Sequence, residues 1–120
     1  MKVIFSGSRN LKITKVDLAT AILRSGFELT EVVTGGSGLI DLMAMEYAKY
    51  AGLPLTVFYP GWGKLGKFAG PERNKRMALY GDALIYFWDG KSKGTRSMIE
   101  EAQDVGLKIF GEKMGDGVEK

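Results

Sequence analysis

Three glycine-dense turns and a run of basic residues hold the groups in this chain that could do chemistry. The first turn, "SGSRN", offers Gly7, Ser8 and Arg9; the second, "TGGSG", offers Gly35, Gly36 and Ser37, with Asp41 shortly after. A third, "DGKSKGT", ends in Gly94 and Thr95, and the long segment "PGWGKLGKFAGPERN" supplies Trp62, Glu72, Arg73 and Asn74. Each turn leaves an apolar run and leads toward a helical pattern. A turn stripped of side chains there points backbone N–H groups outward at a helix N-terminus, where the macrodipole also favours negative charge. Phosphate is the guest this suits. Arg9 and Arg73 add forked, charge-assisted donors, and an aromatic such as Trp62 could stack a base. Trp88, at the end of an apolar strand, reads as core. The spacing is neither the three-glycine dinucleotide fingerprint nor a Walker loop, because no Lys-Ser/Thr pair closes it.

What is missing narrows the chemistry further. The 120 residues contain no histidine and no cysteine. That removes the commonest general base and excludes zinc–thiolate sites, thiolate nucleophiles and disulfides. No metal and no cofactor are expected. Acid–base work would fall to carboxylates, with Asp41 and Glu72 as the candidates. The formal net charge is only +3, but it is unevenly spread. Lys64, Lys67, Arg73, Lys75, Arg76, Lys91, Lys93 and Arg96 face only Glu72, Asp82 and Asp89 over the same stretch, which fits an anion-binding rim.

Positioning these turns is the task of an alternating set of elements. The runs "KVIFSG", "EVVTGG", "LPLTVFY", "ALIYFWD" and "KIFG" lack polar alternation and read as strands buried on both faces. Between them, one helix starts at Thr14 as N-cap with Asp17 completing a capping box, and should turn Val16, Ala19, Ile22 and Leu23 inward before Gly26. A second carries Ile40, Met43, Ala44, Tyr47, Ala48 and Ala51, and Gly52 closes it. A third opens with Pro71 at its first position and ends near Tyr80. The fourth runs from about Thr95 to Gly106 and should bury Met98, Ile99, Ala102 and Val105. The expected fold is α/β: a single-domain, Rossmann-like three-layer sandwich with a mostly parallel five-stranded sheet over residues 1–111. Residues 112–120 are expected to form a flexible tail. No apolar run reaches membrane-spanning length and "MKVIFSG" lacks a cleavage signature, so a cytoplasmic protein is expected.

The segments "GSRN", "GGSGLID", "WGKLGKFAGPERNKRM" and "GTRSMIEEA" resemble, in order and spacing, the YspA-like (cpYpsA-related) branch of the SLOG superfamily. Other branches include DprA and the LOG-type phosphoribohydrolases. The likeness covers Met1 to about Phe110, and "AGPERN" and "GTRSMI" are its most specific parts. It implies a domain that binds a nucleotide or nucleotide-derived ligand and an origin in a phage or bacterium. Carried over by position, Gly7, Ser8 and Arg9 form the first ligand loop, Gly35, Gly36 and Asp41 the second, Gly70, Pro71, Arg73 and Asn74 the third, and Gly94 and Thr95 the phosphate-binding loop. Two departures stand out. Leu39 and Ile40 precede Asp41 where the family usually has Gly-Ala or Gly-Ile, and Gly38 replaces a frequent arginine. The glutamate that phosphoribohydrolases carry shortly after this threonine is replaced here by Arg96, Ser97 and Met98.

These residues rank three functions. Binding of a small nucleotide-derived ligand, as sensor, carrier or sequestering protein, comes first. Cleavage of an N-glycosidic bond ranks second, because the family's glutamate is displaced. Single-stranded DNA binding in the manner of DprA ranks third, since it needs an extended groove with several stacking aromatics. No membrane partner is expected, and a homo-oligomer is compatible with the resemblance.

Overall fold

All five apolar runs become strands of one parallel sheet: β1 (Lys2–Gly7), β2 (Glu31–Thr34), β3 (Leu55–Val57), β4 (Ala83–Trp88) and β5 (Lys108–Lys113), in the order β3-β2-β1-β4-β5. The computed structural model describes residues 1–114, with the side chain of Trp62 excepted. Val3, Ile4 and Phe5 of β1 and Leu84 and Ile85 of β4 have no exposed surface, which is why these strands lack polar alternation.

Helices α1 (Lys15–Ser25) and α2 (Gly38–Ala51) cover one face, packing Leu18, Ala21, Ile40 and Ala44 against Val3, Phe5 and Val32. Helices α4 (Ala69–Tyr80) and α5 (Lys93–Asp104) cover the other, where Met77, Ala78, Met98 and Ala102 meet Ile4, Val33 and Leu84. The result is the three-layer Rossmann-like sandwich. Winding runs outward from β1 through β2 to β3, then resumes at β4 on the other side of β1. The chain leaving β1 therefore turns to α1 on one face and the chain leaving β4 to α5 on the other, the reversal at which a crevice forms at the carboxyl edge.

Several boundaries differ from the sequence reading. The α1 capping box forms as expected, with Asp17 N–H on Thr14 Oγ1 at 3.0 Å and Thr14 N–H on Asp17 Oδ2 at 2.8 Å. Its inward stripe is Leu18, Ala21 and Ile22, whereas Val16 and Leu23 are 72% and 81% exposed. Apolar residues lie on two opposite sides of α1, so spacing could not choose between them. Leu11 and Ile13, packed into the same core just before the helix, fix its entry.

The sequence pattern places no helix between β3 and α4. That stretch holds a short α3 (Trp62–Leu65) and a 3-10 turn (Gly66–Phe68). Helix α4 then begins at Ala69, so Pro71 is its third residue, still within the turn whose N–H groups have no intrahelical partner. Ser92 rather than Thr95 caps α5, and Val105 lies just past its end, 42% exposed. Strand β5 continues to Lys113, past the expected domain boundary at 111, and Met114 N–H still bonds Trp88 O at 2.8 Å. The rest of the expected tail, 115–120, lies outside the described residues. No helix among the described residues is long and apolar enough to cross a membrane.

Candidate functional site

The crevice at the winding reversal has a volume of about 190 Å³ and a polar lining. Strand β1 contributes Ser6 and Gly7, with Arg9 beyond them. Gly35, Ser37 and Asp41 come from the β2–α2 turn, Arg73 and Asn74 from α4, and Ser92, Gly94 and Thr95 from the start of α5. Phe5 and Met77 complete its wall.

In the first turn, Gly7 is glycine because of packing. A Cβ there would lie 2.3 Å from Ile40 Cδ1, so α2 could not approach the sheet. Ser8 points away from the crevice. It is buried, its N–H bonds Phe87 O at 3.0 Å, and its Oγ accepts from Asp89 N–H at 3.0 Å, which ties the β1 loop to the β4 loop. Arg9 is exposed at the mouth.

The second turn is closed by its own chain. Gly35 faces the Arg73 guanidinium, and a Cβ on it would lie 2.2 Å from Arg73 Nη1. Gly36, with φ of 68°, faces Val57 and the ring of Tyr59. Ser37 sits at the N-cap of α2 without using its side chain as a cap. Asp41 takes over that role by accepting from Ser37 N–H at 2.9 Å, which leaves the Ser37 hydroxyl on the crevice wall. Burial pushes the Asp41 carboxyl up to about 6, opposed by the Ser37 N–H, Arg73, Thr34 and Arg9.

Arg73 is half structural. Its Nη1 donates to Gly35 O at 2.9 Å and Phe58 O at 3.3 Å, and its Nε to Asn74 Oδ1 at 3.0 Å. Nη2 bonds none of the described residues. Burial lowers the pKa of Arg73 while Asp41 raises it. Asn74 passes the restraint on, donating to Gly94 O at 3.3 Å and Ser97 Oγ at 3.2 Å, so α4 and α5 are linked through the site. Glu72 stands elsewhere. It binds Arg76 through both oxygens at 3.0 Å and does not line the crevice, which leaves Asp41 as the lining carboxylate.

At the third turn Asp89 accepts from Lys91 N–H and Ser92 N–H, both at 2.8 Å, and these bonds hold its carboxyl below the usual range. Trp88 Nε1 donates to Ser92 O at 3.1 Å, fixing the same corner. Ser92 Oγ accepts from Thr95 N–H at 3.4 Å. Thr95 is buried, whereas the space above Gly94 is open, with nothing within 4 Å of a Cβ placed there. The sequence did not single out Phe5, Ser6, Met77 or Ser92. For Ser92 a signal existed, since Asp89 three residues before it is a common way to fold a helix entry. Trp62 opens α3, but its side chain lies outside the described residues.

The arrangement gathers two helix N-termini, one edge of the Arg73 guanidinium and the exposed charge of Arg9 around one polar hollow. Such a hollow favours an anion. Among the described residues no group of three acidic, histidine or cysteine side chains could hold a metal ion.

The crevice and sheet order define a Rossmann-like domain, and a solved structure shares the fold. X-ray coordinates of DNA processing protein A (DprA) from Streptococcus pneumoniae superpose with a TM-score of 0.72 at 22% identity, covering 92% of this chain and 49% of that one. The chain thus spans about half the length of that protein. No protein-family model matches. The Gene 61 protein of Mycobacterium phage D29 is 36% identical over 123 residues, covering 93% of this chain and 98% of the phage protein. The chain belongs to the family of that phage protein.

Proposed function

We propose that this protein binds a small phosphorylated, nucleotide-derived ligand, its phosphate held between the N-termini of α2 and α5. The supporting observation is the convergence of Arg73, Arg9 and Gly94, at the first turn of α5, on one hollow at the winding reversal of the sheet. Membership of the YspA-like branch of SLOG, a cytoplasmic location and a role as sensor, carrier or sequestering protein are part of this reading. N-glycosidic hydrolysis of the LOG type stands behind it, since Glu72 is engaged with Arg76 and Asp41 with Ser37.

A second reading, binding of single-stranded DNA, draws on the fold shared with DNA processing protein A and on the basic residues between Lys64 and Arg96. Both readings place phosphate in the same hollow, but they differ in how many phosphates are engaged. Titration calorimetry with AMP, ADP-ribose and a thymine oligonucleotide separates them. We expect a mononucleotide or ADP-ribose to bind with one site per chain. Tight oligonucleotide binding with a steep salt dependence, and none of the small ligands, would replace the first reading with the second.

A further inference from the structure

We infer that Tyr59 is the platform on which the base of the bound nucleotide stacks, just outside the crevice; this deepens the nucleotide reading above and rests on it. Pockets that enclose whole small-molecule ligands run to roughly 300–1,000 Å³. At about 190 Å³ the crevice takes a phosphate and sugar, so a base must lie on its rim.

Tyr59 is the described aromatic on that rim. A Cβ on Gly36 would meet its Cε1 at 3.3 Å and Cδ1 at 3.9 Å, and Gly36 sits between Gly35 and Ser37, which both line the crevice. The ring is 66% exposed, and among the described residues no cation or second ring stacks on it. Phe68, also exposed, has the Lys67 ammonium 5.5 Å from its ring centre, and Tyr50 belongs to the last turn of α2, away from the crevice edge.

The backbone beneath Tyr59 is fixed although its ring is free. Its carbonyl accepts from Arg76 Nη2 at 3.0 Å, and Arg76 is held by Glu72. The carbonyl of Phe58 accepts from Arg73 Nη1, and the Phe58 ring packs on Tyr80 with centroids 5.4 Å apart. An aromatic whose backbone is already anchored loses little freedom when a base covers it. Every base presents a π-face, so the subsite takes any nucleobase, and a purine covers more of the ring than a pyrimidine.

Affinities of AMP and of ribose 5-phosphate, measured for the wild type, Tyr59→Ala and Tyr59→Leu, test this. The wild type should bind AMP more tightly than ribose 5-phosphate. Both variants should lose roughly tenfold in AMP affinity and none for ribose 5-phosphate, a loss in the range seen when stacked aromatics are truncated. Leucine keeps apolar bulk without a π-face, so it stands in if the alanine variant does not fold. If both probes bind the wild type and the variants keep the preference for AMP, the stacking inference falls alone. If removing the preference takes Trp62→Ala instead, Trp62 is the platform and Tyr59 is not. Should neither probe bind the wild type, the nucleotide reading falls and takes the stack with it.

Discussion

The guanidinium of Arg73 occupies the space that a side chain at Gly35 would need. Nη1 donates to Gly35 O at 2.9 Å, and a Cβ on Gly35 would come within 2.2 Å of the same nitrogen. Gly94 is the reverse case, with open space where its Cβ would point. Gly35→Ala should therefore cost about 1–3 kcal/mol of stability by displacing Arg73. Gly94→Ala should keep or slightly raise stability, since alanine is the better helix former, while weakening ligand binding by standing in the hollow. Urea unfolding together with calorimetry reads both. Equal stability losses in the two variants would contradict this division.

Arg73→Ala tests how much of that arginine is structure. From sequence alone it reads as a forked phosphate clamp. With Gly35 O, Phe58 O and Asn74 Oδ1 all depending on it, its removal should cost about 1–3 kcal/mol in addition to ligand affinity. Arg73→Lys should not restore stability, because one ammonium cannot reproduce the planar fork that reaches these acceptors. A wild-type urea midpoint for Arg73→Ala would return it to the role of a free clamp.

The strands were legible because both of their faces are buried, and that leaves an unbroken apolar run in the sequence. Gly7 and Gly35 were legible as places where something comes close, but not what comes close. In both cases it is a side chain of this protein, Ile40 or Arg73, brought in from another element by the tertiary fold. Which side of α1 faces the sheet was hidden for a similar reason. The pairing of Glu72 with Arg76 was local, at i and i+4, and could have been read from spacing.

The Asp41 carboxyl gives the site a pH dependence. Its pKa rises on folding from 3.8 to about 6, so between those values the folded chain holds a proton that the unfolded chain has released. Stability therefore falls as pH rises through that window, by up to about 3 kcal/mol. Asp41→Asn should flatten this slope in urea unfolding between pH 4 and pH 7 (roughly the span of the shift). Sulfate, whose own charge is constant there, should bind wild type more weakly as Asp41 ionises, and the asparagine variant without that trend. A pH-independent wild type would place Asp41 in water.

Turnover is the last point to decide, and the geometry bears on it directly. Cleaving an N-glycosidic bond requires a carboxylate free to stabilise developing positive charge at the anomeric carbon or to activate water. Glu72 is committed to Arg76 away from the crevice, and one oxygen of Asp41 accepts the Ser37 N–H that opens α2. At neutral pH Asp41 is ionised, yet its nearest charged partners are Arg73 and Arg9, which compete with a cation for it. AMP incubated for long periods with pure protein should thus be recovered intact by chromatography. Release of free adenine that stops in Asp41→Asn, although the variant still binds AMP, would show that the carboxylate acts on the chemical step and would make this protein an enzyme. Release that survives Asp41→Asn would instead point to a contaminant, because Asp41 is the one carboxylate among the described residues lining the crevice.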